Sequence, residues 1–290
     1  AYNSDTPTVL DIQFTRDING REARTFYDVN GQVQATLSAD GAVTEFIYNG
    51  FNQLVDTVQY SALVSESLRA NGSLTEVLEN TQANSDTTLH NVSLYNERGS
   101  VVATINAEGI VTLFEYNQNN QQVATKVLQR QLTDTYLKDV VFANPALMTV
   151  GKLLSYTSTD GNGDLIFKPA ATGSNVDQLT KVNYTLRGEV NQTIAVDDTI
   201  TQINYDNMGR VVSTVANYDN ATSNSRTASQ GYDEKGRVTS ETNGDQVITH
   251  AYDLNGLRIS TTTVSLGESI DNNERTTRFF YAANGRLTFS

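Results

Sequence analysis

The 290-residue sequence has no cysteine, only three prolines and two histidines, and no long apolar run. Without cysteine there are no disulfides, no thiolate metal sites and no thiol chemistry. No stretch approaches the roughly 18 apolar residues of a transmembrane helix, and the first residues do not read as a signal peptide. Positive charge is scarce: 20 basic against 33 acidic residues leave a formal net charge of −13. Such a surface opposes binding to nucleic acid or an anionic membrane. Catalysis by histidine has only His90 and His250 to draw on. Neither sits in a Gly-x-Ser-x-Gly elbow or a His-Glu-x-x-His helix. A hydrophobic fraction of 38% suits a sheet with much solvated surface better than a compact globule.

What is abundant is repetition. Tyr27, Tyr48, Tyr95, Tyr116, Tyr184, Tyr205, Tyr232, Tyr252 and Tyr281 align with one another, and the pairs 27/48, 95/116 and 184/205 are each 21 residues apart. A period of this size dictates the fold. Four residues after each tyrosine stands Gly31, Gly99, Gly188, Gly209, Gly236, Gly256 or Gly285, with Asn52 and Asn120 as the two exceptions. Asparagine is the residue next most tolerant of positive φ, so this position reads as left-handed, in a type I turn closed by a bulge. Asp28, Asp206, Asp233 and Asp253 follow their tyrosines and are placed to hydrogen-bond the turn. A second turn falls at Asn19-Gly20, Asp40-Gly41 and Glu108-Gly109. In the shorter repeat it reads Asn243-Gly244, the preferred pair for a two-residue type I′ hairpin. Asp197-Asp198 breaks the glycine rule, so that turn is expected to differ.

Between turns the pattern alternates with period 2, which predicts strands. Val33, Ala35 and Leu37 share one face, and so do Thr44, Phe46 and Tyr48, with Phe46 expected inward. From Gln59 the spacing of Tyr60, Leu63, Val64 and Leu68 turns helical, Asn71-Gly72 reads as a stop, and Ser73 with Glu76 resembles a capping box. Residues 59–80 therefore read as a helical hairpin inserted between strands. Residues 89–126 repeat 21–58 at an offset of 68, and a second excursion follows with Leu132, Tyr136, Val140 and Val141 at helical spacing. The expected fold is all-β: an antiparallel β-solenoid or curled sheet with short helical insertions. The expected divisions are 1–88, 89–180 and 181–290, in one elongated body. Beginning inside a half-repeat, the chain reads as a piece of something longer.

Tyr205-Asp206-Asn207-Met208-Gly209-Arg210-Val211 and Tyr232-Asp233-Glu234-Lys235-Gly236-Arg237-Val238 carry a Tyr-Asp-x-x-Gly-Arg unit, with looser copies at Tyr95–Gly99 and Tyr281–Leu287. In this the chain resembles the Rhs/YD-repeat family. The resemblance implies a large secreted or surface bacterial protein whose repeats wind into a β-sheet spiral, closed in toxin members into a shell around cargo. It implies an extracellular or cell-surface location, and adjacent repeats of the same or an identical chain as partners. Those shells end in a self-cleaving region rich in Asp, Pro and Gly. Pro7, Pro145 and Pro169 frame no such segment, so no protease residues carry over.

Candidate sites are few. Asp160, Asn162 and Asp164 alternate like the opening of a calcium loop, but Leu165 and Ala171 stand where that loop needs glycine and glutamate. A surface turn is the plainer reading, and no other cofactor is expected. His250 aligns with Phe46 and Phe114 and reads as a core residue, and His90 lies just before a strand. Recurring aspartates belong to turns, which leaves Asp197-Asp198 as the adjacent carboxylate pair to inspect against glycosidase chemistry. The sequence therefore points to a non-catalytic scaffold segment, an arc of a shell, stalk or filament. The alternative is an adhesin module holding a glycan or protein ligand on its loops or insertions.

Overall fold

The computed structural model describes residues 11–16, 20, 22–84, 87–128, 131–132, 137–155, 177–218, 225–265 and 274–289. The chain divides into two compact units, Ala1–Gln178 and Leu179–Ser290. In the first, β1 (Asp11–Arg16), β2 (Glu22–Tyr27), β3 (Val33–Leu37), β4 (Val43–Tyr48), β5 (Leu54–Tyr60), β6 (Thr88–Tyr95), β7 (Val101–Ile105), β8 (Val111–Tyr116) and β9 (Gln122–Val127) follow in order. Each pairs antiparallel with the next. In the second, β10 (Gln178–Tyr184), β11 (Val190–Ile194), β12 (Ile200–Tyr205), β13 (Val211–Ala216), β14 (Arg226–Tyr232), β15 (Val238–Asn243), β16 (Gln246–Tyr252), β17 (Arg258–Ser265) and β18 (Glu274–Arg278) do the same. A short pair, β19 (Phe280–Tyr281) and β20 (Leu287–Phe289), follows. The all-β antiparallel fold expected from the sequence is the fold observed.

The turns explain the tyrosine spacing. Gly31, Gly99, Gly188, Gly209, Gly236, Gly256 and Gly285 have φ between 77° and 95°, and Asn52 and Asn120 both sit at 61°. The ladder register shifts immediately before each repeat tyrosine, as at Phe26/Tyr27, so every turn is closed by a bulge. The residue after the tyrosine holds the turn: Asp28 Oδ1 accepts the N–H groups of Asn30 and Gln32, each at 2.8 Å. Asn96 and Asp206 repeat this.

Two turns depart from expectation. At Asp197-Asp198 the hydrogen bonds are those of the other turns, Ala195 N–H to Thr199 O at 2.9 Å and Asp198 N–H to Ala195 O at 3.0 Å. Asp198 itself takes φ 61°, because a short acceptor side chain tolerates the left-handed region. At the other, Asn243 pairs with Gln246, so the two-residue loop is Gly244-Asp245. Gly244 has φ 56° and Asp245 no positive φ, which is the II′ pattern and not I′.

The helical expectation also shifts. Tyr60 ends β5, and the first helix, α1 (Glu66–Asn71), begins six residues later. The chain between is tied to the second turn: Val64 N–H donates to Gly41 O at 2.9 Å. A Cβ on Gly41 would come within 2.7 Å of Val64 O. Sixty-eight residues on, Leu132 N–H donates to Gly109 O at 2.8 Å, and a Cβ on Gly109 would meet Leu132 O at 2.7 Å. Both second-turn glycines are thus needed for close approach as well as for φ. The stop at Gly72 has φ −63°; glycine is required because a Cβ would meet Leu68 O at 2.6 Å. The capping box is present before α2 (Leu74–Asn84), with Ser73 N–H to Glu76 Oε2 at 2.8 Å and Glu76 N–H to Ser73 Oγ at 3.3 Å. The second insertion carries a π-helical turn at Leu137–Val141, a 3₁₀ turn at Pro145–Leu147 and α3 (Val150–Ser155).

The insertions roof one face of the first sheet. Phe26, Ala35, Leu37 and Val43 pack with Val64, Leu74 and Val77. Leu94, Ala103, Ile105 and Val111 pack with Leu132, Leu137, Val141 and Leu153. The roofed face carries Val43, so Phe46, of opposite parity on the same strand, points the other way. Arg24, 4% exposed, donates to Gly72 O at 2.7 Å and Arg69 O at 3.2 Å, satisfying carbonyls at the end of α1. In the second unit no described residue is fully buried.

Candidate functional site

Successive hairpins are stitched by the tyrosine hydroxyls. Tyr48 donates to Val33 O at 3.0 Å, Tyr95 to Leu54 O at 2.7 Å and Tyr116 to Val101 O at 2.7 Å. In the second unit Tyr205 donates to Val190 O, Tyr232 to Val211 O, Tyr252 to Val238 O and Tyr281 to Arg258 O, all between 2.7 and 2.9 Å. Every acceptor is the first residue of the strand leaving the previous repeat's turn. Tyr27 donates instead to Gln13 Oε1 at 3.3 Å, and Tyr184 closes β10. Burial pushes the Tyr48 and Tyr95 hydroxyls above their ordinary pKa, so they stay protonated donors.

The Asp-x-x-Gly-Arg portion adds a second stitch. Arg210 Nε donates to Asp206 Oδ2 at 2.6 Å, and its guanidinium lies 4.4 Å from the centre of the Tyr232 ring. Arg237 repeats this with Asp233 at 2.6 Å and the Tyr252 ring at 4.4 Å. Each arginine thus joins its own turn to the tyrosine of the next hairpin. The N–H of Arg210, above all, holds the Asp206 carboxyl below its ordinary pKa, and that of Arg237 does so for Asp233. Asp253 keeps the turn contact to Leu257 N–H at 2.8 Å, with leucine at the position where the other two turns carry arginine.

A polar cluster interrupts the roofed face. Cross-strand rows place Glu45 opposite Val58, Val58 opposite His90, and Ile47 opposite Asp56. Asp56, fully buried, meets His90 Nδ1 at 2.7 Å through Oδ2, while Oδ1 is buried without a partner. The His90 ring stacks on Phe142 of the second insertion, 3.9 Å away and 8° from parallel. Tyr60 donates a short hydrogen bond to Glu45, and Gln82 Nε2 of α2 donates to the Tyr60 hydroxyl at 3.3 Å. Burial raises the Glu45 pKa; the Tyr60 hydrogen bond opposes it. The cluster therefore ties three strands to both insertions. His90 lies within β6, not before it. Reading the sequence residue by residue missed Glu45, Asp56 and Tyr60. Their signal was parity: Asp56 occupies the face that Val58 buries.

The remaining candidates do not converge. Asp160, Asn162 and Asp164 lie outside the described residues. Among the described residues no group of three or more His, Asp or Glu side chains is close enough to hold a metal. His250, expected in the core, is only partly buried and meets Glu241 Oε1 at 3.1 Å and Thr261 Oγ1 at 3.0 Å. Asp197 caps its own turn through Thr199 N–H at 3.1 Å, so it serves the turn. A cleft of about 720 Å³ runs between the turns after Tyr48 and Tyr95, beside the 3₁₀ turn. It is lined by Phe51, Gln53, Asn96, Arg98 and Leu147, with Phe51 86% exposed.

No family model and no curated protein matches the sequence. Solved structures do. Two structures of TcdB2-TccC3, one lacking the hypervariable C-terminal region, are each 14% identical and cover 95% of this chain at a TM-score of 0.47. A Tc holotoxin pore of Photorhabdus luminescens is 13% identical over 95% of this chain, again at 0.47. The chain spans about 15–16% of the length of those chains. A likeness this shallow transfers no activity. No described helix is long and apolar enough to cross a membrane.

Proposed function

We propose that this chain is a non-catalytic structural segment, a wall of stitched hairpins within a larger extracellular or cell-surface bacterial protein. The supporting observation is the tyrosine stitch, which recurs in both units with one acceptor rule. It uses the repeat's most regular side chain to join neighbouring hairpins and leaves that hydroxyl committed to backbone. The buried acids and His90 are likewise engaged with strands and insertions, which favours packing over chemistry. A wall of this kind encloses or bears something, and a toxin cargo is one version. Repeats that contact only their neighbours yield serially under load. Pulling the chain from its ends is expected to release it in successive steps of about one repeat, roughly 70 Å of extended chain. A single all-or-none rupture would sink the reading.

The cleft beside Phe51 favours a second reading, a module that holds a glycan or protein ligand. An exposed aromatic at a turn tip, flanked by amides and Arg98, offers a ring to stack on and polar groups to orient a sugar. Binding on a glycan array that disappears in Phe51→Ala would support it; an array without signal removes it.

A further inference from the structure

Six Asn-Gly bonds fall within the described residues: Asn30-Gly31, Asn49-Gly50, Asn71-Gly72, Asn243-Gly244, Asn255-Gly256 and Asn284-Gly285. Each holds an electrophile and a nucleophile side by side. The glycine amide nitrogen, losing its proton, attacks the asparagine Cγ; the new C–N bond closes a succinimide, and the Cγ–Nδ2 bond breaks to release ammonia. Water then adds to either ring carbonyl, giving aspartate or isoaspartate and one proton, with no change of oxidation state. In a folded chain the step requires a glycine N–H that is free and an asparagine amide able to turn onto it. Where either is hydrogen-bonded, local opening must come first.

The fold separates the six. Gly31, Gly256 and Gly285 donate their N–H to Asp28 O, Asp253 O and Ala282 O at 2.9–3.1 Å, as the repeat turn demands. Gly72 N–H is bonded to Leu68 O at 2.9 Å. Gly50 N–H is not engaged, but the Asn49 amide is held three times. Its Oδ1 accepts from Phe51 N–H at 2.9 Å and Gln53 N–H at 3.0 Å, and its Nδ2 donates to Gln53 Oε1 at 2.8 Å. Asn243-Gly244 alone among these six has both partners free. Asn243 is exposed at the end of β15 and its side chain makes no hydrogen bond. Gly244 opens a two-residue loop at φ 56°, with nothing within 4 Å of where a Cβ would stand.

We propose that Asn243 is a site of spontaneous deamidation and isoaspartate formation in the folded protein, with water as the co-reactant. The tightness of this one loop, shorter than the repeat's other turns, is what exposes it. The product places a new carboxylate beside Asp245, and the isoaspartyl form adds a methylene to the backbone at the Asn243–Gln246 closure. The β15–β16 hairpin is thereby loosened with age.

The test is peptide mapping by mass spectrometry of the intact chain, aged in isotopically heavy water at mildly alkaline pH. Asn243 is expected to convert at least about ten-fold faster than Asn30, Asn49, Asn71, Asn255 or Asn284, whose reaction waits on local opening. In strong urea the rates should draw together. A folded chain in which another of the six keeps pace with Asn243 overturns the proposal. So does a urea-unfolded chain in which Asn243 stays far ahead, since flanking sequence would then set the rate. Asn243→Gln, whose ring closure is slower, is expected to remove most of the isoaspartate that these six bonds give in the folded chain; an unchanged yield from them also overturns it.

Discussion

The two units run the same hairpin repeat, yet the first has a roofed face and in the second no described residue is fully buried. Compare one cross-strand row through successive repeats. In the first unit it reads Phe26, Ala35, Glu45 and then Leu94, Ala103, Leu113. In the second it reads Asn183, Gln192, Gln202 and then Gly231, Ser240, Thr249. Where helical insertions cover the row, it is mostly apolar and buried. In the second unit the side chains of this row hydrogen-bond along the sheet. Asn183 Nδ2 donates to Gln192 Oε1 at 3.0 Å, and Gln192 Nε2 to Gln202 Oε1 at 2.7 Å. The difference teaches that the repeat specifies strands and turns, while the insertions decide which face becomes a core. Turn chemistry is common to both units; among the described residues, full burial belongs to one.

The largest test of this contrast lies in the roofed row. Phe26→Ala is expected to cost about 3–5 kcal/mol, as large-to-small changes in a packed core do. The equivalent Asn183→Ala should cost only about 0.5–1.5 kcal/mol, the worth of a typical hydrogen bond. Urea titration of each variant measures both, and equal losses would break the comparison. His90→Ala belongs on the same scale, at about 3–5 kcal/mol, because it strands the buried Asp56 carboxylate. Replacing both partners with apolar residues, Asp56→Val with His90→Leu, should recover most of that loss.

The stitch should be indifferent to roofing. Tyr116→Phe in the first unit and Tyr205→Phe in the second are each expected to cost about 0.5–1.5 kcal/mol, the net worth of one hydrogen bond. A loss confined to the roofed unit would show that the hydroxyl contributes only where the sheet is covered, and would break the idea of one stitch common to both units. Arg210→Lys, which keeps charge but gives up the flat stack on Tyr232, should lose less, about 0.5–1 kcal/mol at a partly exposed site.

The smallest effect separates the units by pH. Burial raises the folded-state pKa of Glu45, so its charged form opposes folding. Its contribution is whole below the ordinary glutamate range and is lost as pH rises through the raised value. Glu45→Gln should therefore gain on the wild type as pH rises toward neutrality. Asp206 and Asp233 behave oppositely, because the turn N–H groups depress their pKa. Their contribution is present above the ordinary aspartate range and is lost as pH falls through the depressed value. Asp206→Asn should track the wild type in acid and fall behind it near neutrality, read from melting curves across the range.

Much of this was legible in the chain. Glycine four residues after tyrosine marked the left-handed turn positions, and Ser73 with Glu76 marked a helix start, because both depend on near neighbours alone. The loop at Asn243 came out one residue displaced, since register is settled by the partner strand and not by the favoured dipeptide. Helical spacing from Tyr60 misled because Val64 is hydrogen-bonded to Gly41, a contact spanning two elements.

Sequence alone determined the repeat, its turns and its antiparallel strands, since each rests on φ preferences and alternation within about 21 residues. Tertiary structure decided which face of the sheet is roofed, where each tyrosine hydroxyl goes, and that Glu45, Asp56 and His90 meet. Those outcomes depend on distant segments competing to cover or bond the same surface, and no local pattern encodes the winner.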